Sequence, residues 1–328
     1  MMLPPFSVLD LSPVIEGADY SETYRRSVRL AQHVEALGYK RFWLAEHHNM
    51  ADIASAATSV LIGHIAANTS TIRVGSGGIM LPNHPPLVIS EQFGTLEALY
   101  PNRIDLGLGR APGGDYATMH ALRRDPERMD PEFDELLEEL QFFMGPVSDG
   151  QPVASYPGSY STLPIWLLGS STYSARLAAI KGLPFAFAAH FAPDAMMRAL
   201  ETYRTNFQPS EQLEKPYAMV AVNITVADTD REAEYLSTTE KQKFLGMIRG
   251  KRTKQAPPVS SMDPLWAPHE KLHVETQLRE SIIGAPQTVR SRLEELVSRT
   301  QADEIMVNSM IYDLDNKLHS YKLLADLA

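Results

Sequence analysis

Polar residues follow four short apolar runs of the sequence, and their types suit catalysis or ligand binding. The first group is residues 46–49 (EHHN), which directly follow the run RFWLA. Two adjacent histidines at the end of a strand point to opposite sides, so at most one of them enters a pocket as an acid, base or hydrogen-bond donor. The alternative interpretation is a pair of rim histidines that bond to nearby backbone.

The second group is rich in glycine, with residues 75–78 (GSGG) at the end of the run IRVG. Glycine permits backbone angles that are closed to other residues, and the missing side chain lets a flat ligand approach the main chain. A tight turn would use the same residues. The spacing alone therefore leaves ligand contact and a turn as alternatives.

A cation and a set of hydroxyl side chains follow the next two apolar runs. Arg110 comes just after the run IDLGL, and residues 170–174 (SSTYS) lead from the run IWLL into a helical pattern. A fixed guanidinium and the free N–H groups of a helix start both bind phosphate. Taken singly, a surface ion pair and ordinary N-capping are the alternatives. Taken together, the two features predict a monophosphate site between neighbouring loops.

Other chemistries lack their motifs. Residues 107–112 open like a GxGxxG motif, but the sixth position is Pro112 and no helix is predicted there, so we expect no dinucleotide site.

The absence of cysteine excludes thiolate catalysis and Cys-ligated metals. A rim cluster of metal ligands would draw on Glu46, His47, His48, His84 and His190. Neither HExxH nor HxH after the first strand is present, however, so we predict no metal. GxSxG is also absent, which argues against a serine hydrolase.

The composition restricts the classes of partner. The chain has 328 residues, 44% of them hydrophobic, and a formal net charge of −10. Nucleic acids and anionic membranes require a basic face, so we expect neither as a partner. The sequence shows neither a secretory signal pattern nor a run of about 18 apolar residues. We therefore expect a cytoplasmic protein.

Eight short apolar runs alternate with longer segments of helical period, which predicts a (β/α)₈ TIM barrel in a single domain, 1–328. The predicted strands are 6–11, 41–45, 72–75, 104–108, 165–168, 185–189, 218–226 and 304–311. We expect insertions after the fourth and seventh strands, at 112–163 and 251–280, to lie on the C-terminal rim, where barrel active sites form. The alternative fold is two open α/β halves with a boundary within 145–164.

Five stretches, in order along nearly the whole chain, resemble the bacterial luciferase-like, flavin-dependent monooxygenase family. They are WLAEHHNM (43–50), IRVGSGGIMLPNHPPL (72–87), NRIDLGLGRAPGGD (102–115), WLLGSSTYSARLAAIKGLPFAFAAHF (166–191) and DEIMVNSMIYD (303–313). The likeness is strongest to the single-chain, alkanal-monooxygenase-like subgroup. The motif set is specific for the family but not for a substrate.

The resemblance implies a barrel that binds reduced FMN (FMNH₂) at its C-terminal rim and uses O₂ on a small organic substrate. By position, Gly77 and Gly78 match the family's non-proline cis peptide beneath the isoalloxazine. The phosphate contacts match Arg110, Ser171 and Ser174, and the pocket lining matches Gly169 and Ser170. His47 matches the active-site histidine.

The resemblance further implies a separate flavin reductase, and the lack of an NADPH-binding Rossmann motif agrees with this. Early barrel helices often pair two chains in this family, so we expect a homodimer through the small-residue helix at 55–68. Light-emitting members carry a reactive cysteine where this chain has Gly109, which makes light emission doubtful. The alternatives are an F420-dependent oxidoreductase on the same barrel and a non-catalytic flavin-binding protein.

Overall fold

A computed structural model describes residues 2–111, 116–122, 132–251 and 253–328, and ten strands form a parallel sheet in this part of the chain. The strands are β1 (Phe6–Asp10), β2 (Arg41–Leu44), β3 (Arg73–Ser76), β4 (Ile79–Met80), β5 (Ile104–Gly109), β6 (Ile165–Gly169), β7 (Phe185–Ala188), β8 (Ala218–Val226), β9 (Ile282–Gly284) and β10 (Glu304–Asn308). Pairing of β10 with both β1 and β8 closes the ring. The short β4 and β9 lie outside it, on β5 and β8. The predicted TIM barrel is confirmed.

Helices cover the outside of the barrel. Those of the described residues are α1 (Tyr20–Ala36), α2 (Thr58–Ala67), α3 (Pro86–Leu99), α4 (Tyr116–Ala121), α5 (Phe133–Met144), α6 (Thr172–Ile180), α7 (Met196–Asn206), α8 (Asp230–Ile248), α9 (Pro268–Gln277), α10 (Pro286–Thr300) and α11 (Leu314–Ala325). Helix α1 shows how the local sequence sets the ends of a helix. At its start the Asp19 side chain accepts from the Glu22 N–H at 2.7 Å, and after its end Gly38 takes a φ of +81°. No described helix has the length and apolar character needed to cross a membrane.

Charged residues close the N-terminal end of the barrel. Arg41 donates to Asp105 at 2.7 Å and to Glu304 at 3.0 Å, and Arg73 donates to the other oxygen of Asp105 at 2.6 Å. Both carboxylates are fully buried. Buried charges are tolerated only when paired and hydrogen-bonded, so this network fixes the lower end of the barrel without opening a site there.

The middle of the barrel is filled by two indoles, whose ring centres, on Trp43 and Trp166, are 5.2 Å apart. Neighbouring strands make room for them: a Cβ on Gly75 would lie 2.8 Å from the Trp43 Nε1. Beyond this layer the inward residues become small, as in Ala45 and Ala221. The barrel is therefore packed below and hollow at the carboxyl ends of its strands.

The two predicted rim insertions stay predictions. Residues 112–115 and 123–131 of the first, and Arg252 of the second, lie outside the described residues. The rest of the second segment contains α9, which the sequence did not indicate, and Trp266 packs there against an apolar cluster with Phe244 of α8. The buried Gln255 donates to the Met310 carbonyl at 2.6 Å, so this segment is docked on the barrel.

Candidate active site

A cavity of about 1050 Å³ opens at the carboxyl ends of the strands, at the upper end of the size range of small-molecule sites. It brings together the eight predicted site residues: His47, Gly77, Gly78, Arg110, Gly169, Ser170, Ser171 and Ser174. They come from the ends of β2, β3, β5 and β6 and from the start of α6. Their grouping is an observation, and their individual roles stay predictions.

Bare main chain forms one wall of the cavity at Gly77 and Gly78, which are joined by a cis peptide bond. A Cβ on Gly77 would lie 2.9 Å from Leu9 Cδ1, and one on Gly78 would lie 2.7 Å from the Gly107 carbonyl oxygen. Neither position can carry a side chain without displacing its neighbours. The two glycines thus present a flat peptide surface to the cavity.

The space beside Gly109 is occupied by a side chain from the neighbouring strand. A Cβ there would lie 2.9 Å from the sulfur of Met80, which is part of β4. Both residues line the cavity. A flexible thioether therefore stands where a side chain of residue 109 would otherwise project.

Another part of the cavity lining has the features of an anion site. Ser171 is the N-cap residue of α6, with extended backbone (φ −141°, ψ 173°), and its side chain makes no capping hydrogen bond. The guanidinium carbon of Arg110 lies 4.3 Å from the centre of the Tyr173 ring. Gly169 permits close packing here, because a Cβ on it would lie 2.7 Å from that of Ser174. The helix start and a cation thus face one space.

His47 also lines the cavity. Its main-chain N–H donates to the Ser55 carbonyl at 3.0 Å, and its Nδ1 is buried without a hydrogen-bond partner among the described residues. Burial and the nearby Lys243 charge lower the pKa of His47 to about 4. The imidazole is therefore neutral at pH 7, with one N–H to donate.

His48 points away from the cavity and toward a buried carboxylate. Its Nε2 donates to Glu46 at 2.7 Å, and His84 Nε2 and the Met80 N–H donate to the same carboxylate at 3.0 and 2.9 Å. Burial raises the pKa of Glu46, but the hydrogen bonds from His84 and His48 outweigh it and lower the pKa below its usual value. Glu46 therefore ties the loop after β2 to the loop that follows Gly78.

Three cavity residues carry polar atoms that the sequence did not assign to the pocket: Asp52, His190 and Lys243. His190 entered the sequence analysis only as a possible metal ligand. Burial and the neighbouring His47 lower the pKa of His190 to about 4. Asp52 and Lys243 form an ion pair at 3.1 Å between the loop after β2 and α8. No sequence motif indicates that Asp52 or Lys243 lies in the cavity.

A buried carboxyl group lies behind the cavity wall, on α8. Glu240 is 3% exposed, and it hydrogen-bonds to the side chains of Ser281 and Asn223. Burial raises the pKa of Glu240 to about 8, so the group is protonated at neutral pH. Its Oε1 has no partner within the described ranges.

We expect Glu240→Gln to stabilise the protein at alkaline pH. The pKa of about 8 in the folded chain lies above the usual value of 4.5, so the wild type loses stability as pH rises between these values. This group contributes about 1.4 kcal/mol per pH unit to that loss. A glutamine carries no titratable group, so the variant does not lose stability in this way. Thermal unfolding should show a growing advantage of the variant from pH 5 to pH 8, whereas the exposed control Glu214→Gln should show none. A constant difference at every pH would contradict the buried-acid interpretation.

The chain was compared with known proteins. A family model described as luciferase-like monooxygenase matches residues 5–303. A luciferase-like monooxygenase of Escherichia coli (strain K12) is 52% identical over 322 residues, which cover 98% of this chain and 96% of the relative. The crystal structure of apo-MsnO8 has a TM-score of 0.91 at 37% identity, covering 99% of this chain and 98% of the other.

A more distant solved structure has the same fold. It is the oxygenating constituent of 3,6-diketocamphane monooxygenase from Pseudomonas putida, a type II Baeyer-Villiger monooxygenase in complex with FMN. Its TM-score is 0.74 at 18% identity, with coverage of 98% of this chain and 96% of that chain.

Proposed function

The chain belongs to the luciferase-like monooxygenase family, and we propose that it is a two-component monooxygenase that uses reduced FMN and O₂ on a small organic substrate. The observation that carries the proposal is that one cavity gathers a bare peptide wall, an anion site and a neutral histidine. The FMN complex of the distant Pseudomonas putida enzyme supports this choice of cofactor on a barrel of the same fold.

The residues of the cavity fit the flavin ring system. A planar tricyclic ring needs a flat surface that it can approach closely, and the peptide of Gly77 and Gly78, which line the cavity without side chains, would supply one. The cavity volume of about 1050 Å³ leaves room for a second small molecule beside a cofactor. We propose that these two glycines hold the isoalloxazine.

The phosphate of FMN would bind at the start of α6. Arg110 would contribute the charge, and Ser171 and Ser174 would contribute hydroxyl donors beside the helix N–H groups. Gly169 and Ser170 would line the same end. A flavin without phosphate would gain nothing from these groups, so they distinguish FMN from riboflavin.

When bound, reduced FMN would supply the electrons that activate O₂. His47 would donate a hydrogen bond to oxygen as negative charge develops there, because its low pKa keeps the imidazole uncharged with one N–H to donate. The surrounding apolar lining, which includes Phe187 and Met306, would exclude water from that oxygen. A separate flavin reductase would deliver the reduced cofactor.

Titration of the purified protein with FMN, followed by anaerobic reduction and mixing with O₂, tests the proposal. We expect FMN to bind in preference to F420 and riboflavin. Absorbance should show that O₂ oxidises the bound reduced FMN at a rate different from that of free reduced FMN. Preferential binding of F420 would point to the F420-dependent oxidoreductase. Tight FMN binding with no effect on the oxidation rate would point to the non-catalytic flavin-binding protein.

A further inference from the structure

The guanidinium of Arg110 lies against an aromatic ring. Its central carbon is 4.3 Å from the centre of the Tyr173 ring, within the range of cation–π attraction. Arg110 follows β5, and Tyr173 belongs to the first turn of α6, which follows the neighbouring strand β6. Of these two residues, Arg110 lines the cavity and Tyr173 does not. A ligand in the cavity therefore meets the guanidinium and not the ring.

Tyr173 is the more rigid partner in this contact. Its helix is tightly packed at this end, because Ser174 and Ala175 are buried and a Cβ on Gly169 would lie 2.7 Å from the Ser174 Cβ. Arg110 is exposed, and arginine is among the side chains that have the most rotamer freedom to lose. The ring therefore restricts the orientation of a side chain that would otherwise sample many rotamers.

A ring can orient a guanidinium without using its hydrogen bonds. The N–H donors of arginine lie in the plane of the guanidinium, so a contact with the face of a ring leaves these donors free. A carboxylate partner would instead occupy the N–H edges with which arginine binds phosphate. Tyr173 thus restricts the direction of Arg110 while the donors of Arg110 stay available to an anion in the cavity.

The effect of this restriction on affinity depends on rotamer populations. Only the rotamers of Arg110 that point at the ligand bind it, and the apparent dissociation constant rises as their fraction falls. A cation–π contact at an exposed site changes the ratio of stacked to free rotamers by about two- to fivefold. We expect a contribution of this size from the Tyr173 ring, which is smaller than the contribution of the guanidinium charge itself.

We propose that Tyr173 is a positioning residue of the phosphate site, which increases the affinity for FMN by holding Arg110 toward the cavity. The ring itself touches neither the phosphate nor the isoalloxazine. The proposal rests on the proposed function, since it takes the FMN phosphate as the ligand of Arg110. It assigns part of the affinity for the cofactor to an aromatic side chain that lies outside the cavity wall.

Fluorescence titration of Tyr173 variants with FMN and with riboflavin tests the proposal. Tyr173→Ala should weaken FMN binding by about two- to fivefold and leave riboflavin affinity unchanged. Tyr173→Phe keeps a ring under the guanidinium and should bind FMN as wild type does. The matched control is Tyr20→Ala, which removes an exposed tyrosine from the first turn of α1 and should change neither affinity. FMN binding by Tyr173→Phe as weak as that by Tyr173→Ala would overturn the proposal, as would an equal loss for both flavins.

The double variant Arg110→Ala/Tyr173→Ala separates positioning from direct contact. If the ring acts through Arg110, its removal from the Arg110→Ala variant should cause no further loss of FMN affinity. A further two- to fivefold loss in that variant would show that Tyr173 contacts the cofactor itself, and the proposal would be wrong. Circular dichroism and the melting temperature establish that each variant is folded. Tyr173→Leu is measured as a second variant without a ring and should match Tyr173→Ala in FMN affinity.

Inorganic phosphate, titrated into the flavin-free chain and followed by phosphorus NMR, separates this proposal from the proposed function. Wild type and Tyr173→Phe should bind phosphate about two- to fivefold more tightly than Tyr173→Ala does. If wild type prefers FMN to riboflavin but Tyr173→Ala binds FMN and phosphate equally well, the positioning role alone is overturned. If wild type shows no preference for FMN while the order of phosphate affinities holds, the proposed cofactor is overturned and the role of Tyr173 stands. Failure of wild type to bind either ligand would overturn both.

Discussion

Replacing Arg110 with alanine is expected to weaken FMN binding by about 10- to 150-fold and to leave riboflavin affinity within about twofold. The loss corresponds to about 1.5–3 kcal/mol, the range for a hydrogen bond to a charged group. The guanidinium lies over Tyr173 at the start of α6, so the contact we propose for it is with the phosphate and not with the ring system. Fluorescence titration with both flavins measures the two affinities.

The control for this prediction is Arg176→Ala, on the exposed face of α6. It removes a charge of the same sign from the neighbouring helix α6 without altering the cavity wall, so both flavins should bind as they do to wild type. If Arg110→Ala weakened FMN and riboflavin equally, Arg110 would contact another part of the flavin or act through the fold. If Arg176→Ala reproduced the loss, the effect would be one of overall charge.

The sequence was sufficient to predict the barrel because each of the eight strands of the closed ring has a short, mostly apolar run. β8 (Ala218–Val226), buried along its entire length, coincides with the predicted strand. The clusters that follow the strands were equally predictable, since carboxyl ends of parallel strands meet at one rim of a barrel. Local signals therefore located His47, Gly77 and Arg110 and predicted a phosphate site at Arg110, whereas only the family resemblance indicated that the ligand is a flavin.

Two features of α8 could not be predicted from its local pattern. Lys243 and Glu240 are polar residues on a helix, and such residues normally mark its solvent face. Both face inward here because of partners far along the chain: Asp52 for Lys243, and Ser281 for Glu240. Long-range pairs of this kind leave no periodic trace in the sequence, so the Asp52–Lys243 part of the cavity lining was missed.

The helix α9 was missed for a different reason. Among its residues only Val274 is buried, so the segment has no apolar stripe of helical period. Its start is set by Pro268 in the first turn and by the Glu270 side chain, which accepts from the Ala267 N–H at 2.8 Å. Arg249 of the neighbouring region donates to the same carboxylate at 2.7 Å. Capping and one ion pair thus stabilise α9, although its sequence has no apolar residues at helical spacing.

The largest effect on chemistry is expected for His47→Ala. The variant should bind FMN within a few-fold of wild type, because Gly77, Gly78 and the anion site are unchanged, but it should oxidise bound reduced FMN with O₂ at least about tenfold more slowly. Removing one positioned hydrogen-bond donor to developing negative charge costs about 10² to 10³ in rate. Stopped-flow absorbance after mixing with O₂ measures the rate, and titration measures the affinity.

The pH profile and a second variant isolate this contribution. Because the pKa of His47 is about 4, the imidazole stays neutral from pH 5 to pH 8, and the ratio of wild-type to variant rates should be constant across that range. The neighbouring His48→Ala removes a donor to Glu46 and should lower the melting temperature while largely keeping the rate. If His48→Ala abolished the reaction in a folded protein and His47→Ala did not, the roles of the two histidines would be exchanged. We do not expect that exchange, because His47 lines the cavity whereas His48 is hydrogen-bonded to the buried carboxylate of Glu46.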